Sequence, residues 1–155
     1  MQGLNALETR IPPPVVALVL AFLMWNGSVW LGAVSPPAWR LALVAALVAL
    51  GAVCDLSGVW AFHRARTTVN PMKPGSATSL VTAGIYRWTR NPMYVGMVLF
   101  LTAGAVYLWS IWALPGPLAF VVYINRFQIG PEERVMRARF GEAYEAYCRR
   151  VRRWM

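Results

Sequence analysis

Charge is scarce in this chain, and negative charge scarcest: 14% of its 155 residues are charged, with 6 acids against 15 lysines and arginines. With 58% hydrophobic residues and a positive mean hydropathy, this excludes an ordinary soluble domain of such size and predicts an integral membrane protein. Cysteine is equally sparse. Cys54 falls in an apolar segment and Cys148 in a basic tail, so the pair gives no disulfide framework. The lone histidine, His63, has no cysteine partner at ligand spacing, and no metal is expected. Internal repeats and low-complexity linkers are also missing, which predicts one domain over residues 1–155.

The uncharged runs set the architecture. Residues 15–34 form a first span of about twenty residues, long enough at ~1.5 Å each to cross a hydrocarbon core of ~30 Å. Pro12-Pro13-Pro14 before it, Pro36-Pro37 after it and the absence of a small-residue cleavage site argue against a removed signal peptide. A second span covers 41–62 and holds one acid, Asp55. From Met93 to Asn125 no residue is charged, too long for one crossing and short for two full ones, so a tight hairpin is expected over 93–109 and 111–129. Its turn falls near Trp109-Ser110 or at Pro115-Gly116-Pro117. The expected fold is therefore an all-α bundle of about four transmembrane helices.

Apart from Arg40 in the first connection, the basic residues behind the net charge of +9 fall on one side of this bundle. Arg10, then Arg64, Arg66, Lys73, Arg87 and Arg90, then the residues from Arg126 onward, would all share a face that the positive-inside rule makes cytoplasmic, with both termini. A bacterial inner membrane is the expected location. These patches suit anionic lipid headgroups, whereas no nucleic-acid module is present and no obligate protein partner is evident.

Residues 63–91, with Pro71, Pro74, Gly75 and Gly84, read as a cytoplasmic loop or lid. Pro92 suits the first turn of the third span and Asn91 its N-cap. From Glu132, apolar Met136, Phe140, Ala143, Tyr144, Tyr147, Val151 and Trp154 recur at helical spacing and predict an amphipathic helix over 132–154. Gly141 should bend it or let another backbone approach closely.

The polar residues that could carry chemistry gather on two segments. Glu132 and Glu133 are ordinary helix-start acids in one reading; in the other, one carboxylate faces a cationic ligand such as a sulfonium. Arg126, on the same general face as Glu133 if the helix is continuous, either snorkels to headgroups or binds a carboxylate. Arg87 and Arg90 carry the same two readings, with Arg90 the better site residue because it abuts the span. Tyr86, Trp88 and Tyr94 are interfacial aromatics or rings for a cation or adenine. Asp55 reads as a pairing group within the bundle.

In their order and spacing, Asn70-Pro71, Leu80-Val81-Thr82, Gly84-Ile85-Tyr86-Arg87, Arg90-Asn91-Pro92-Met93-Tyr94-Val95-Gly96, Arg126, Ile129, Glu132-Glu133, and Phe140-Gly141-Tyr144-Tyr147 form a pattern. It resembles the isoprenylcysteine carboxyl methyltransferase family and the related phospholipid methyltransferases, small integral membrane enzymes that use S-adenosylmethionine. The resemblance covers residues 67–154. It implies a cofactor wall of Gly84, Tyr86, Arg90, Asn91, Pro92 and Tyr94 facing a second wall of Glu132 and Glu133. Arg126, Glu133 and Arg90 are the implied catalytic residues. Asn91 stands where isoprenylcysteine enzymes usually have histidine, so a titrating imidazole is absent.

The function so implied is methyl transfer from S-adenosylmethionine to a lipophilic or membrane-associated acceptor, a carboxylate, amine or thiol, at the cytoplasmic interface. A nicotinamide-dependent sterol-type reductase and a non-enzymatic membrane scaffold are the alternatives. Glu133→Gln and Arg90→Ala are expected to weaken cofactor binding and to spare stability.

Overall fold

The computed structural model describes residues 8–29, 36–65 and 79–155. Among these the chain is all-helical. Its helices are α1 (Pro13–Val29), α2 (Ala38–Arg64), α3 (Pro92–Leu108), α4 (Pro115–Ile124) and α5 (Gly130–Arg150). The end of the expected first span, and Asn70, Pro71, Lys73, Pro74 and Gly75 of the expected loop, lie outside the described residues.

Prolines open these helices, as a missing N–H costs nothing in a first turn. Pro92 and Pro115 start α3 and α4, while Pro37 precedes α2. The uncharged run from Met93 does fold as a hairpin. α3 ends where Trp109 takes a left-handed conformation, φ 49°. Ser110 Oγ then accepts from Trp112 N–H at 3.2 Å and starts a 3₁₀ turn, Ile111–Ala113, that leads into α4.

α3 is the centre of the bundle. Its Tyr94, Leu101 and Ala105 meet Met24 of α1 and Phe120 and Ile124 of α4 in the main core, with Ala113 and Ile129. α2 docks on α3 through small residues that let the backbones approach, as in membrane helix pairs. A Cβ on Gly51 would lie 3.1 Å from Gly96 O, and one on Gly58 would lie 2.9 Å from Met93 Cγ. The outward face of α2 exposes Leu43, Leu50, Val53, Leu56 and Trp60, and Leu18, Phe22, Leu118 and Val122 are exposed on α1 and α4. So much apolar surface marks membrane contact. Among the described residues α2 alone is both long and apolar enough to cross a bilayer. α1 and α3 have 17 residues each, roughly 25 Å, and α4 has 10.

Between α4 and α5 the backbone does not leave helical geometry but widens into a π-turn, Asn125–Ile129. Pro131 explains it. An α-helix would pair residue 131 N–H with Phe127 O, and proline has no N–H to give. Gly130 N–H instead reaches back five residues to Asn125 O, and Phe127 O accepts from Thr9 N–H at 3.0 Å. Later in α5, Gly141 has φ 49°, ψ −124°, and splits the helix as expected. The helix ends at Arg150, short of the expected 154. Val151 is extended, and Arg152 O accepts from Arg90 N–H just before α3.

Candidate functional site

The turn before α3 begins at Gly84, whose φ of +63° lies in the left-handed region that side chains avoid and where a Cβ would meet open space. The 3₁₀ turn Gly84–Arg87 follows and buries Tyr86 against α2, its ring edge-on to Phe62 at 5.4 Å and its hydroxyl 3.7 Å from a Cβ placed on Gly58. Tyr147 of α5 donates its hydroxyl to Tyr86 O at 2.8 Å. Burial raises both phenols above their usual range, so both stay protonated donors. Trp88 is exposed.

The C-terminal segment then closes over this turn. Arg90 N–H donates to Arg152 O at 3.0 Å, and Thr89 Oγ1 donates to Arg153 O at 3.3 Å. Asn91 does occupy the N-cap position of α3, yet its side chain makes no cap bond: Nδ2 donates to Arg153 O at 2.8 Å. Asparagine supplies the amide donor that a carbonyl needs there. Pro92, the first residue of α3, is buried beneath.

Opposite stand the two acids of α5, which play different parts. Glu133 is buried and meets Arg90 Nη1 at 3.2 Å, Arg153 Nε and Nη2 at 3.1 and 2.8 Å, and Arg137 Nη1 at 3.8 Å. One anion thus ties the α3 turn, α5 and the tail together. Arg90 also donates to Cys148 Sγ, while its Nε is buried without a partner. Glu132 has no basic partner at all among the described residues. Its Oε1 accepts from Tyr94 hydroxyl at 2.7 Å and from Gln128 Nε2 at 2.7 Å. Burial pushes its carboxyl up to about 7, against the two hydrogen bonds that pull it down, and the nearby Glu133 charge adds to the rise.

Tyr86, Arg90, Asn91, Pro92, Tyr94, Glu132 and Glu133 therefore converge at one end of the bundle, with Gly84 at its rim. Arg126 does not join them. It pairs with Glu8 at 2.7 Å, because the π-turn absorbs one residue. Eight positions along, Arg134 takes the two-turn spacing that Glu133 would have on a plain α-helix, and Arg134 is the second partner of Glu8. The sequence reading also missed Arg153, Gln128 and Asn125, whose Oδ1 accepts from Arg153 Nη1 at 3.3 Å and Trp154 Nε1 at 3.2 Å. The signal available was the run of arginines after Cys148, which the helical period of Val151 and Trp154 concealed.

The arrangement fits a cationic ligand bearing a carboxylate. Glu132 is a desolvated acid in want of a counter-charge, and the unpartnered Arg90 Nε is an unused donor. Such a polar site at the end of an apolar helical bundle defines a helical, membrane-associated protein.

Residues 39–143 match the family described as phospholipid methyltransferase, and the chain belongs to that family. An uncharacterized protein of Haemophilus influenzae is 42% identical over 40 residues, 26% of this chain and 64% of that protein. The chain thus spans a little under two thirds of this curated relative's length. No solved structure matches the chain.

Proposed function

We propose that the chain transfers a methyl group from S-adenosylmethionine to a lipophilic acceptor at the membrane interface. Membership of the phospholipid methyltransferase family supports a methyltransferase acting on lipid-like molecules. The observation that carries the cofactor is Glu132, a carboxyl raised to about 7 with hydroxyl and amide donors but no cation.

When bound, S-adenosylmethionine supplies an electrophilic methyl group on a positively charged sulfur. Glu132 would face that charge and recover the ionised state that burial now disfavours. Tyr94 and Gln128 hold Oε1 and so fix the carboxylate's direction. Arg90 would take the amino-acid carboxylate through Nε while Glu133 keeps its guanidinium in place. Asn91 and Pro92 complete that wall, and Tyr86 supports it from beneath. A carboxylate or thiolate acceptor needs no base. For an amine, Glu132 would accept the proton once methyl transfer has left the sulfur neutral. The basic face would be cytoplasmic in a bacterial inner membrane, where the cofactor arrives from water and the acceptor from the bilayer.

Calorimetry on the purified chain in detergent tests this reading. S-adenosylmethionine and its demethylated product should bind and NADPH should not, and Glu132→Gln should weaken the first more than the second, which lacks the sulfonium charge. Equal weakening of the two would remove Glu132 from the role given. Labelled-methyl transfer into a native lipid extract, read by mass spectrometry, then identifies the acceptor.

A further inference from the structure

On the side of the helix away from Glu133, the π-turn aligns Arg126 with Arg134, and Glu8 lies between them. Glu8 Oε1 accepts from Arg126 Nη1 at 2.7 Å and Oε2 from Arg134 Nη2. More than a hundred residues separate these partners in sequence, so the contact is tertiary. Both guanidiniums remain reachable, at 45% and 59% exposure, whereas the Glu8 side chain is 16% exposed. The three border an open cavity of about 540 Å³ with Asn125 and Gly130. Gly130 keeps its floor low: a Cβ there would lie 3.3 Å from Asn125 O and 3.9 Å from Arg134 Nη1. The peptide carrying Glu8 is pinned by Thr9 N–H on the Phe127 carbonyl that Pro131 leaves open.

We propose that Arg126 and Arg134 form a binding site for a phosphate-ester anion, and that Glu8 occupies it as an internal competitor. Two guanidiniums that one carboxylate can bridge match the paired oxygens of a phosphate group, which offers more acceptor oxygens and at least as much charge. The cavity has room for a headgroup beside the arginines. Glu8 is ionised at neutral pH, held low by its hydrogen bond to Arg126. Displacing it moves one carboxylate off the two guanidiniums, while Thr9 N–H still holds the backbone on Phe127 O. The site does not include Glu132 or Glu133, although Asn125 borders it and also accepts from Arg153, and it does not depend on the methyl-transfer reading.

The source of the phosphate is either a lipid headgroup or a soluble ion, and two titrations separate them. The full chain in neutral detergent micelles is titrated by calorimetry with inorganic phosphate in one arm and with micelle-incorporated phosphatidylglycerol in the other. Glu8→Ala should tighten binding roughly three-fold or more, in the lipid arm if the ligand is a headgroup and in the phosphate arm if it is soluble. Adding Arg134→Gln, at an exposed side chain, should abolish the gain, and Arg139→Ala, which removes the same charge elsewhere on α5, should not. Equal binding by the unaltered chain and Glu8→Ala in both arms, or a gain that survives Arg134→Gln, overturns the proposal. Melting temperatures of the variants confirm that folded protein is compared.

Discussion

Arg153 closes on Glu133 with the fork of its guanidinium, Nε to Oε1 at 3.1 Å and Nη2 to Oε2 at 2.8 Å, twenty residues apart in sequence. Through its backbone carbonyl the same residue receives Thr89 and Asn91. The chain terminus is therefore a structural part of the site, and Glu133 is the anion on which it turns.

Glu133→Gln should accordingly destabilise the chain, against the expectation drawn from sequence. The glutamate is buried, and its loss leaves Arg90 and Arg153 facing each other without an anion. Breaking a buried pair in this way costs about 3 kcal/mol, taken low because Arg153 is partly exposed. Denaturant titration in mixed micelles measures it. Arg153→Ala should lose less stability yet release the turn at Thr89–Asn91, seen as faster amide exchange there.

Stability should fall as pH rises from about 4.5 to 7 because of Glu132. Its carboxyl is raised from 4.5 to about 7 in the folded chain, so the folded state binds the proton more tightly. That contribution is complete below the unfolded value and is lost as pH passes the folded one. Glu8, held low by Arg126, acts with the opposite sign, so the readout is the difference between the unaltered chain and Glu132→Gln. Only the former should show this decline. Sulfonium binding should run the other way, tightening between pH 6 and 8 as Glu132 ionises, and Glu132→Gln should flatten it.

The helical bundle was legible because absence of charge over a known length is a strong signal. The hairpin turn followed from the same arithmetic, and the approach of α5 to the α3 turn from a family resemblance. Arg126 lies off the Glu133 face for a local reason. Pro131 removes one N–H and shifts the ladder from four to five residues, which moves every side chain before it by about one position around the helix. The tail was missed because Val151 and Trp154 keep the helical period although the backbone there is extended. Periodicity reports which residues are buried, and a reversed tail buries them equally well.

Gly141→Ala isolates backbone strain. With φ 49° and ψ −124° this residue occupies a region available essentially to glycine, yet nothing lies within 4 Å of the added methyl group. Space is free and conformation is not. The substitution should cost about 1–3 kcal/mol through strain alone, or straighten α5 and pull Tyr144 and Tyr147 away from the turn. Loss of the Tyr147–Tyr86 hydrogen bond, followed by tyrosine-ring NMR, distinguishes straightening from a strained but native fold.

Gly96→Ala tests the contact that sets α2 against α3. A methyl group there would overlap Asp55 Oδ1 and lie 2.8 Å from Gly51 O. The carboxylate can swing aside, whereas the carbonyl belongs to the α2 backbone and moves only with the helix. Overpacking of this kind costs about 1–3 kcal/mol. Asp55→Ala in the same chain should therefore recover only part of the loss, and the remainder measures the approach of the two backbones. Gly104→Ala is the matched control on α3: its nearest neighbour would be Met24 Cε at 3.6 Å, an ordinary contact, and stability should be unchanged within about 0.5 kcal/mol. Because Gly58 docks Pro92 and Met93 on the same side of α2, a helix pushed outward at Gly96 also draws support from beneath Tyr86. Weakened S-adenosylmethionine binding by Gly96→Ala, with none by Gly104→Ala, would trace that route from the helix interface to the site.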